Sequence, residues 1–351
     1  MLISFAKSKP IMTSSQLLRR RSSKPHRTVS IIGTGSYAPA RVLSNYELEK
    51  MVDTTDTWIR TRTGISERRI TAEGENTSDM AVQAARAAME QAEVHPREID
   101  LIIVATVTPD TFFPATACWV QKKLGAFNAA CFDVSAACSG FLYSLEIAQQ
   151  FISSHVYNTV LIIGADKLSG ITDWTDRNSC VLFGDGAGAA ILRNRPDSHG
   201  VISTNLGADG SFTDILVMPG GGSRCPITKE NLDQRLNTIK MVGKEVYKQA
   251  VTSMFNAANK VLADAGLRYE DIACVIPHQA NLRIIEAIAE RMELPMEKFY
   301  VNLDRFGNTS SAAVAMALDE AHRTARIRVG DFILLVVFGG GLTWASSVIQ
   351  W

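Results

Sequence analysis

The sequence predicts an α/β fold made of two related halves. Three observations carry that expectation. From Val29 onward, short β-rich runs alternate with amphipathic helical ones. Four elements recur in the same order at a shift of roughly 170 to 175 residues, the mark of an internal duplication. Each half also ends in an apolar strand that runs into glycine, VLIIGAD in one and ILLVVFGGG in the other.

In the first half VSIIG reads as a strand, and Thr77 or Ser78 is placed to cap a helix through Met80, Ala84, Ala88 and Ala92. Strands are expected at Leu101–Thr106, Ala130–Val134 and Thr159–Gly164. Between the last two, Phe141, Leu145, Ala148 and Ile152 fall on one face of a helix. In the second half Val246, Ala250, Met254, Ala257 and Val261 recur at helical spacing, with Gly266 where a C-terminal cap belongs. Strands follow at Ala273–Ile276, Phe299–Asn302 and Phe332–Phe338. The halves align Asp100-Leu-Ile-Ile-Val with Asp271-Ile-Ala-Cys-Val, and the turn opening SAACSGFLYSL with that in RFGNTSSAAVAMAL. The chain therefore divides into a basic tail over residues 1–28, expected to be disordered, an N-terminal half over 29–200 and a C-terminal half over 201–351. In such a pair, ligands belong at strand ends and helix N-termini near the junction of the halves.

Composition narrows the function. With 351 residues, 46% hydrophobic and 21% charged, the chain can bury a large core, which excludes global disorder. Lys+Arg and Asp+Glu both total 36, so charge gives no reason to expect a nucleic-acid partner. The first 28 residues hold seven cations and no acid, and suit a flexible tail, an organelle transit peptide or a start at Met12. The longest apolar run, Phe332 to Leu342, falls far short of the ~20 residues that span a bilayer, so no membrane insertion is expected. Six scattered cysteines show neither a CxxC pair nor zinc spacing, which suits a reduced intracellular chain without a metal.

Three residues draw the chemistry together. Cys138 stands between a strand and a helix, where unpaired N–H groups are expected to lower its thiol pKa. A buried inert cysteine is the competing reading. His278 sits in Pro-His-Gln-Ala-Asn where a strand passes into a helix, and singly it could be a satisfied core residue. Asn308 occupies the turn equivalent to that of Cys138 in the other half, a place where Asn is ordinarily a turn or cap residue. Their joint placement at helix starts and strand ends favours nucleophilic chemistry. By contrast, Gly33-Thr-Gly35-Ser-Tyr-Ala38 only mimics a dinucleotide fingerprint with Asp53 beyond it. Pro39 interrupts it and no apolar helix follows, so it reads as a bend, as does Gly184-Asp-Gly-Ala-Gly188.

SAACSGF around Cys138, PHQANLR around His278, GNTS around Asn308 and the terminal FGGGLTW resemble β-ketoacyl-acyl-carrier-protein synthase III, within the thiolase-like superfamily. The likeness runs from about Val29 to Trp351. It implies a thiolase-like fold layered α-β-α-β-α and a homodimer, in the cytoplasm or, if the tail is a transit peptide, the plastid stroma. It implies further that an acyl-coenzyme A acylates Cys138, and that malonyl-acyl-carrier-protein is then decarboxylated and condensed with the help of His278 and Asn308, with no metal or redox cofactor. Cys138 and Gly340 would supply the oxyanion N–H groups. Thr54, Trp58, Arg62, Arg177 and Gly243 match the coenzyme A-binding positions, with Trp58 and Arg177 on opposite faces of the adenine. Phe113 matches a residue reaching into the partner's acyl pocket, and Lys248 and Arg283 match the carrier-protein rim, where Glu290 departs from a position that is often basic. The nearest rival is a specialised polyketide or long-chain β-ketoacid condensing enzyme of the same fold. A degradative thiolase is disfavoured because Val337 and Phe338 stand where that family places a second cysteine. The preferred acyl primer depends on pocket depth.

Overall fold

The computed structural model describes residues 28–195 and 199–351, so the expected tail lies, apart from Thr28, outside them. Strands β1 (Val29–Tyr37), β2 (Leu101–Ala105), β3 (Ala130–Val134), β4 (Thr159–Lys167) and β5 (Asp185–Asn194) form one sheet in the order β1-β5-β4-β2-β3. Strands β6 (Val201–Ala208), β7 (Ile272–Pro277), β8 (Phe332–Gly339) and β9 (Thr343–Gln350) form a second in the order β7-β8-β9-β6. Strand β2 runs parallel to β3 and β4, and β7 runs parallel to β8. The remaining pairs within the two sheets are antiparallel.

The helices that matter here are α1 (Asp56–Thr63), α2 (Thr77–Ala92), α3 (Thr116–Leu124), α4 (Gly140–Ser153), α5 (Gly243–Ala265), α6 (Leu282–Arg291) and α7 (Ala312–Arg323). Strand alternation decides which helix each sheet face meets. Ile102 and Val104 point towards Met80, Ala84 and Ala88 of α2, while Leu101 and Ile103 share a cluster with Phe141 and Leu145 of α4. That second cluster continues through Val314 and Leu318 of α7 to Leu335 and Val337 of the other sheet. On its far side, Leu334 and Val336 pack with Met254 of α5 and Ile285 of α6. The result is five layers, α-β-α-β-α, with α4 and α7 in the middle.

Three expectations need correction. Asn76, rather than Thr77 or Ser78, caps α2, and its backbone N–H donates to the Asp79 carboxylate. The strand expected at Phe299–Asn302 reduces to one bridge to Val275, so the duplication is incomplete at the sheet edge. The glycine clusters read as bends lie largely inside paired strands, Gly33 and Gly35 in β1 and Gly186 and Gly188 in β5. Close packing explains them: a Cβ on Gly35 would fall 2.3 Å from the Ala84 carbonyl, and one on Gly188 would fall 2.5 Å from the Ala315 Cβ. Glycine here marks a helix pressed on the strand backbone.

Gly188→Ala is therefore expected to destabilise the fold by about 1–3 kcal/mol through overpacking. Gly170→Ala, where an added Cβ meets nothing within 4 Å, is expected to be nearly neutral. Urea unfolding of the two variants against the parent checks both.

Candidate active site

From β3 the chain passes through Ser135 and Ala136 into a single 3₁₀ turn, Ala137–Ser139, and then into α4. Ala137 adopts φ +45°, a left-handed conformation unusual for a residue with a Cβ. The turn presses on the end of β8, where a Cβ on Gly339 would lie 2.6 Å from the Cys138 nitrogen. His278 follows the last residue of β7, and its backbone N–H donates to the Val336 carbonyl at 2.8 Å. Gln279 steadies that bend by donating to the Pro277 and Tyr300 carbonyls and accepting from the Asn302 N–H. Asn308 precedes α7. Its Oδ1 accepts from the Ser310 N–H at 2.9 Å, leaving Nδ2 as the group free to donate to a ligand.

A buried carboxylate joins these segments. Asp166, near the end of β4, accepts from the Thr106 and Thr108 hydroxyls and the Val107 N–H on one oxygen. Its other oxygen accepts from the N–H and hydroxyl of Ser311, beside Ser310 in the Asn308 turn. Ser310 itself has φ +53°, and its hydroxyl accepts from the Cys138 thiol at 3.6 Å.

Cys138, His278, Asn308, Ser310 and Gly340 line a cavity of about 730 Å³. Trp58, Arg62, Gly243, Lys244 and Arg283 also line it, with Arg62, Lys244 and Arg283 exposed to solvent. The cavity thus combines a sheltered thiol and imidazole with exposed cations. Among the described residues, no group of three or more His, Cys, Asp or Glu side chains is placed to hold a metal, and no helix is long and apolar enough to cross a membrane.

The expected lowering of the Cys138 pKa does not hold. Burial pushes the thiol up to about 12, with the Asp166 charge adding to the rise and the Ser310 hydrogen bond opposing it. Desolvation outweighs the helix end. Burial also pushes His278 down to about 4, so both groups are neutral near pH 7, and His278 Nδ1 has no hydrogen-bond partner among the described residues.

The other expected positions are distributed unevenly. The Arg177 guanidinium lies 4.2 Å from the Trp58 ring centroid, so the two residues expected on opposite faces of an adenine lie against each other here. Arg177 also approaches Asp53 at 3.9 Å, and neither it nor Thr54 lines the cavity. The Thr54 hydroxyl is buried without a partner among the described residues. Phe113 and Phe112 project from the loop before α3 and are 86% and 85% exposed. Lys248 is exposed one turn along α5 from Lys244, Arg283 stands at the first turn of α6, and Glu290 lies at that helix's opposite end. Sequence reasoning missed Lys244, Ser310 and Asp166. The GNTSS run carried the signal for Ser310, but nothing local separated Asp166 from an ordinary strand-end acid.

The 3-Oxoacyl-[acyl-carrier-protein (ACP)] synthase III model matches residues 132–210, and the model of that family's C-terminal region matches residues 262–351. The chain is 56% identical over 321 residues to the β-ketoacyl-[acyl-carrier-protein] synthase III of Caldanaerobacter subterraneus subsp. tengcongensis, covering 92% of this chain and 97% of that one. The 3-oxoacyl-[acyl-carrier-protein] synthase III structure from Aquifex aeolicus VF5 superposes with a TM-score of 0.85 at 47% identity, covering 92% of this chain and all of the other. The priming β-ketosynthase of the R1128 polyketide biosynthetic pathway superposes with a TM-score of 0.85 at 36% identity, covering 92% and 96%.

The buried imidazole has a consequence for stability. Between its ordinary pKa of 6.5 and the depressed value of about 4, the unfolded chain binds a proton that the folded one refuses. The stabilisation is full above about pH 6.5 and is lost as pH falls towards 4, amounting to roughly 3 kcal/mol. Denaturant titrations across that window are expected to show a pH slope that His278→Gln reduces.

Proposed function

Since the chain belongs to the β-ketoacyl-[acyl-carrier-protein] synthase III family, we propose that it carries out the family's condensation at Cys138, His278 and Asn308. It is an acyltransferase that initiates fatty acid synthesis. The observation that carries the residue assignment is their convergence on one cavity whose opening holds Arg62, Lys244 and Arg283.

An acyl-coenzyme A enters with its phosphates near Arg62 and its pantetheine arm along Gly243, at the first turn of α5. Trp58 and Arg177 separate to admit the adenine between them, a flat ring that suits both faces. Thr54 lies beside this segment. With burial pushing the thiol up to about 12, the attack starts from the thiol, and a base beside it takes over the role expected largely of the helix end. The Cys138 proton passes to neutral His278, sulfur bonds to the acyl carbon, and the proton leaves on the coenzyme A sulfur. The Cys138 and Gly340 N–H groups receive the oxyanion; losing one such donor typically costs roughly 10²–10³-fold in rate.

In the second step malonyl-acyl-carrier-protein docks against Lys248 and Arg283, aided by Lys244. His278, neutral again, and the Asn308 Nδ2 donate to the malonyl thioester carbonyl. They stabilise the enolate as carbon dioxide leaves; its carbon bonds to the acyl carbon, the acyl C–S bond breaks, and the Cys138 sulfur leaves as a thiolate that takes up a proton from solvent. No metal or redox group is assigned to either step. A second reading, priming of a specialised polyketide, is favoured by the likeness to the priming β-ketosynthase. Turnover with carrier proteins of the two pathways separates them.

The proposal includes a homodimer and a division of the chain at residue 200, between the two sheets. Strand β3 is a sheet edge whose five residues all remain partly or fully exposed, and exposed Phe113 stands on the loop leading into the adjoining helix. Pairing β3 with its copy would remove the edge and carry Phe113 to the partner's acyl pocket. The bacterial relative described above lends the plastid alternative no support, and the cytoplasm is the compartment proposed.

Cys138→Ala is expected to abolish the acyl adduct while sparing some malonyl decarboxylation. Asn308→Ala is expected to do the reverse, and His278→Ala to slow both. Intact-protein mass spectrometry after acetyl-coenzyme A, with carbon dioxide release measured separately, tests the assignment; unimpaired decarboxylation in Asn308→Ala would sink it. Light scattering at assay concentration is expected to give twice the chain mass, and a fully active monomer would refute the dimer.

A further inference from the structure

The mechanism above leaves a problem at the sulfur. Cys138 must become an anion where burial and the Asp166 charge both oppose it, yet the backbone N–H groups around it are assigned to the acyl oxygen. One side-chain hydroxyl touches the sulfur. Ser310 lies 3.6 Å from it, is 3% exposed, and is held by three constraints. Its N–H is tied to the Asn308 Oδ1, its neighbour Ser311 is tied to Asp166, and its own backbone is fixed in the left-handed region. A left-handed serine has a backbone cost that glycine would avoid, so the hydroxyl is retained at a place where the backbone favours its absence.

We propose that Ser310 is a further catalytic residue, whose hydroxyl accepts from the Cys138 thiol at rest and turns its hydrogen onto the sulfur as the thiolate forms. The inference rests on Cys138 being the acylated nucleophile. The hydroxyl carries one hydrogen of its own and, while the sulfur is protonated, its oxygen accepts from the Cys138 thiol. When the S–H bond breaks and its proton passes to His278, the sulfur becomes the stronger acceptor. The serine hydrogen stays on its oxygen throughout. As the sulfur bonds to the acyl carbon and the coenzyme A sulfur leaves with the proton, the hydroxyl is free to turn away again.

The test is the pH dependence of Cys138 alkylation by iodoacetamide, followed on the Cys138 peptide by mass spectrometry. Parent, Ser310→Ala and Ser310→Gly are compared, with single-turnover acylation by acetyl-coenzyme A measured in parallel. The titratable groups facing the sulfur, Asp166 and His278, are the same in all three proteins. A hydrogen bond to a charged group is worth enough to move the profile by about one pH unit. Both variants are therefore expected to alkylate about tenfold more slowly below the thiol pKa, with the profile displaced to higher pH, and to acylate correspondingly slowly. Superimposable profiles in all three proteins would overturn the proposal. So would a loss in Ser310→Ala that Ser310→Gly restores, since backbone conformation alone would explain it. If the parent alkylates at Cys138 but takes no acyl group from acetyl-coenzyme A, the functional reading fails, while the alkylation profiles still decide whether Ser310 stabilises the thiolate.

Discussion

One buried carboxylate holds the reactive centre together. Asp166 gathers the loop after β2 and the turn before α7, which come from opposite halves of the chain, onto its two oxygens. Burial pushes the Asp166 carboxyl pKa up, and the hydrogen bonds from Ser311 and from the Val107 N–H oppose that rise. The Thr106 and Thr108 hydroxyls also approach it, and the Ser311 hydroxyl shares its hydrogen between Asp166 and the Ala105 carbonyl. Because Ser311 is fixed this way, Ser310 and Asn308 have little freedom to drift from the Cys138 turn. The same carboxylate keeps negative potential beneath the sulfur and so discourages a standing thiolate.

Desolvation then sets the character of the chemistry. It raises the thiol and lowers the imidazole together, leaving a neutral pair in place of a thiolate–imidazolium pair. Charge would appear on sulfur, acyl oxygen and enolate only during reaction, where fixed donors act most strongly. The cations are kept apart from this region. Arg62, Lys244 and Arg283 are solvent-exposed, where they can meet phosphates or an acidic partner without a desolvation penalty.

The two halves share a plan but not an edge. In the first sheet the strand leading to Cys138 is fully formed as the edge strand β3, whereas its counterpart near Phe299 makes one bridge to Val275. The glycines show the same dependence on packing. Gly35 and Gly188 accommodate α2 and α7 against the first sheet, and Gly339 accommodates the Cys138 turn at the end of β8.

The sequence by itself determined the alternation of strands and helices, the duplication and the three residues at helix starts and strand ends. Periodicity and turn chemistry are local and survive in one dimension; Phe141, Leu145, Ala148 and Ile152, picked by spacing, are all fully buried. Tertiary structure decided what depends on approach between distant segments. It showed that Gly33 and Gly188 are strand residues beneath helices, that Asp166 anchors a turn 145 residues away, and that Arg177 rests on Trp58. It also reversed the expected thiol pKa. A helix start can be read from spacing, but burial depends on every segment that closes over the sulfur, and that sum exists only in the folded chain.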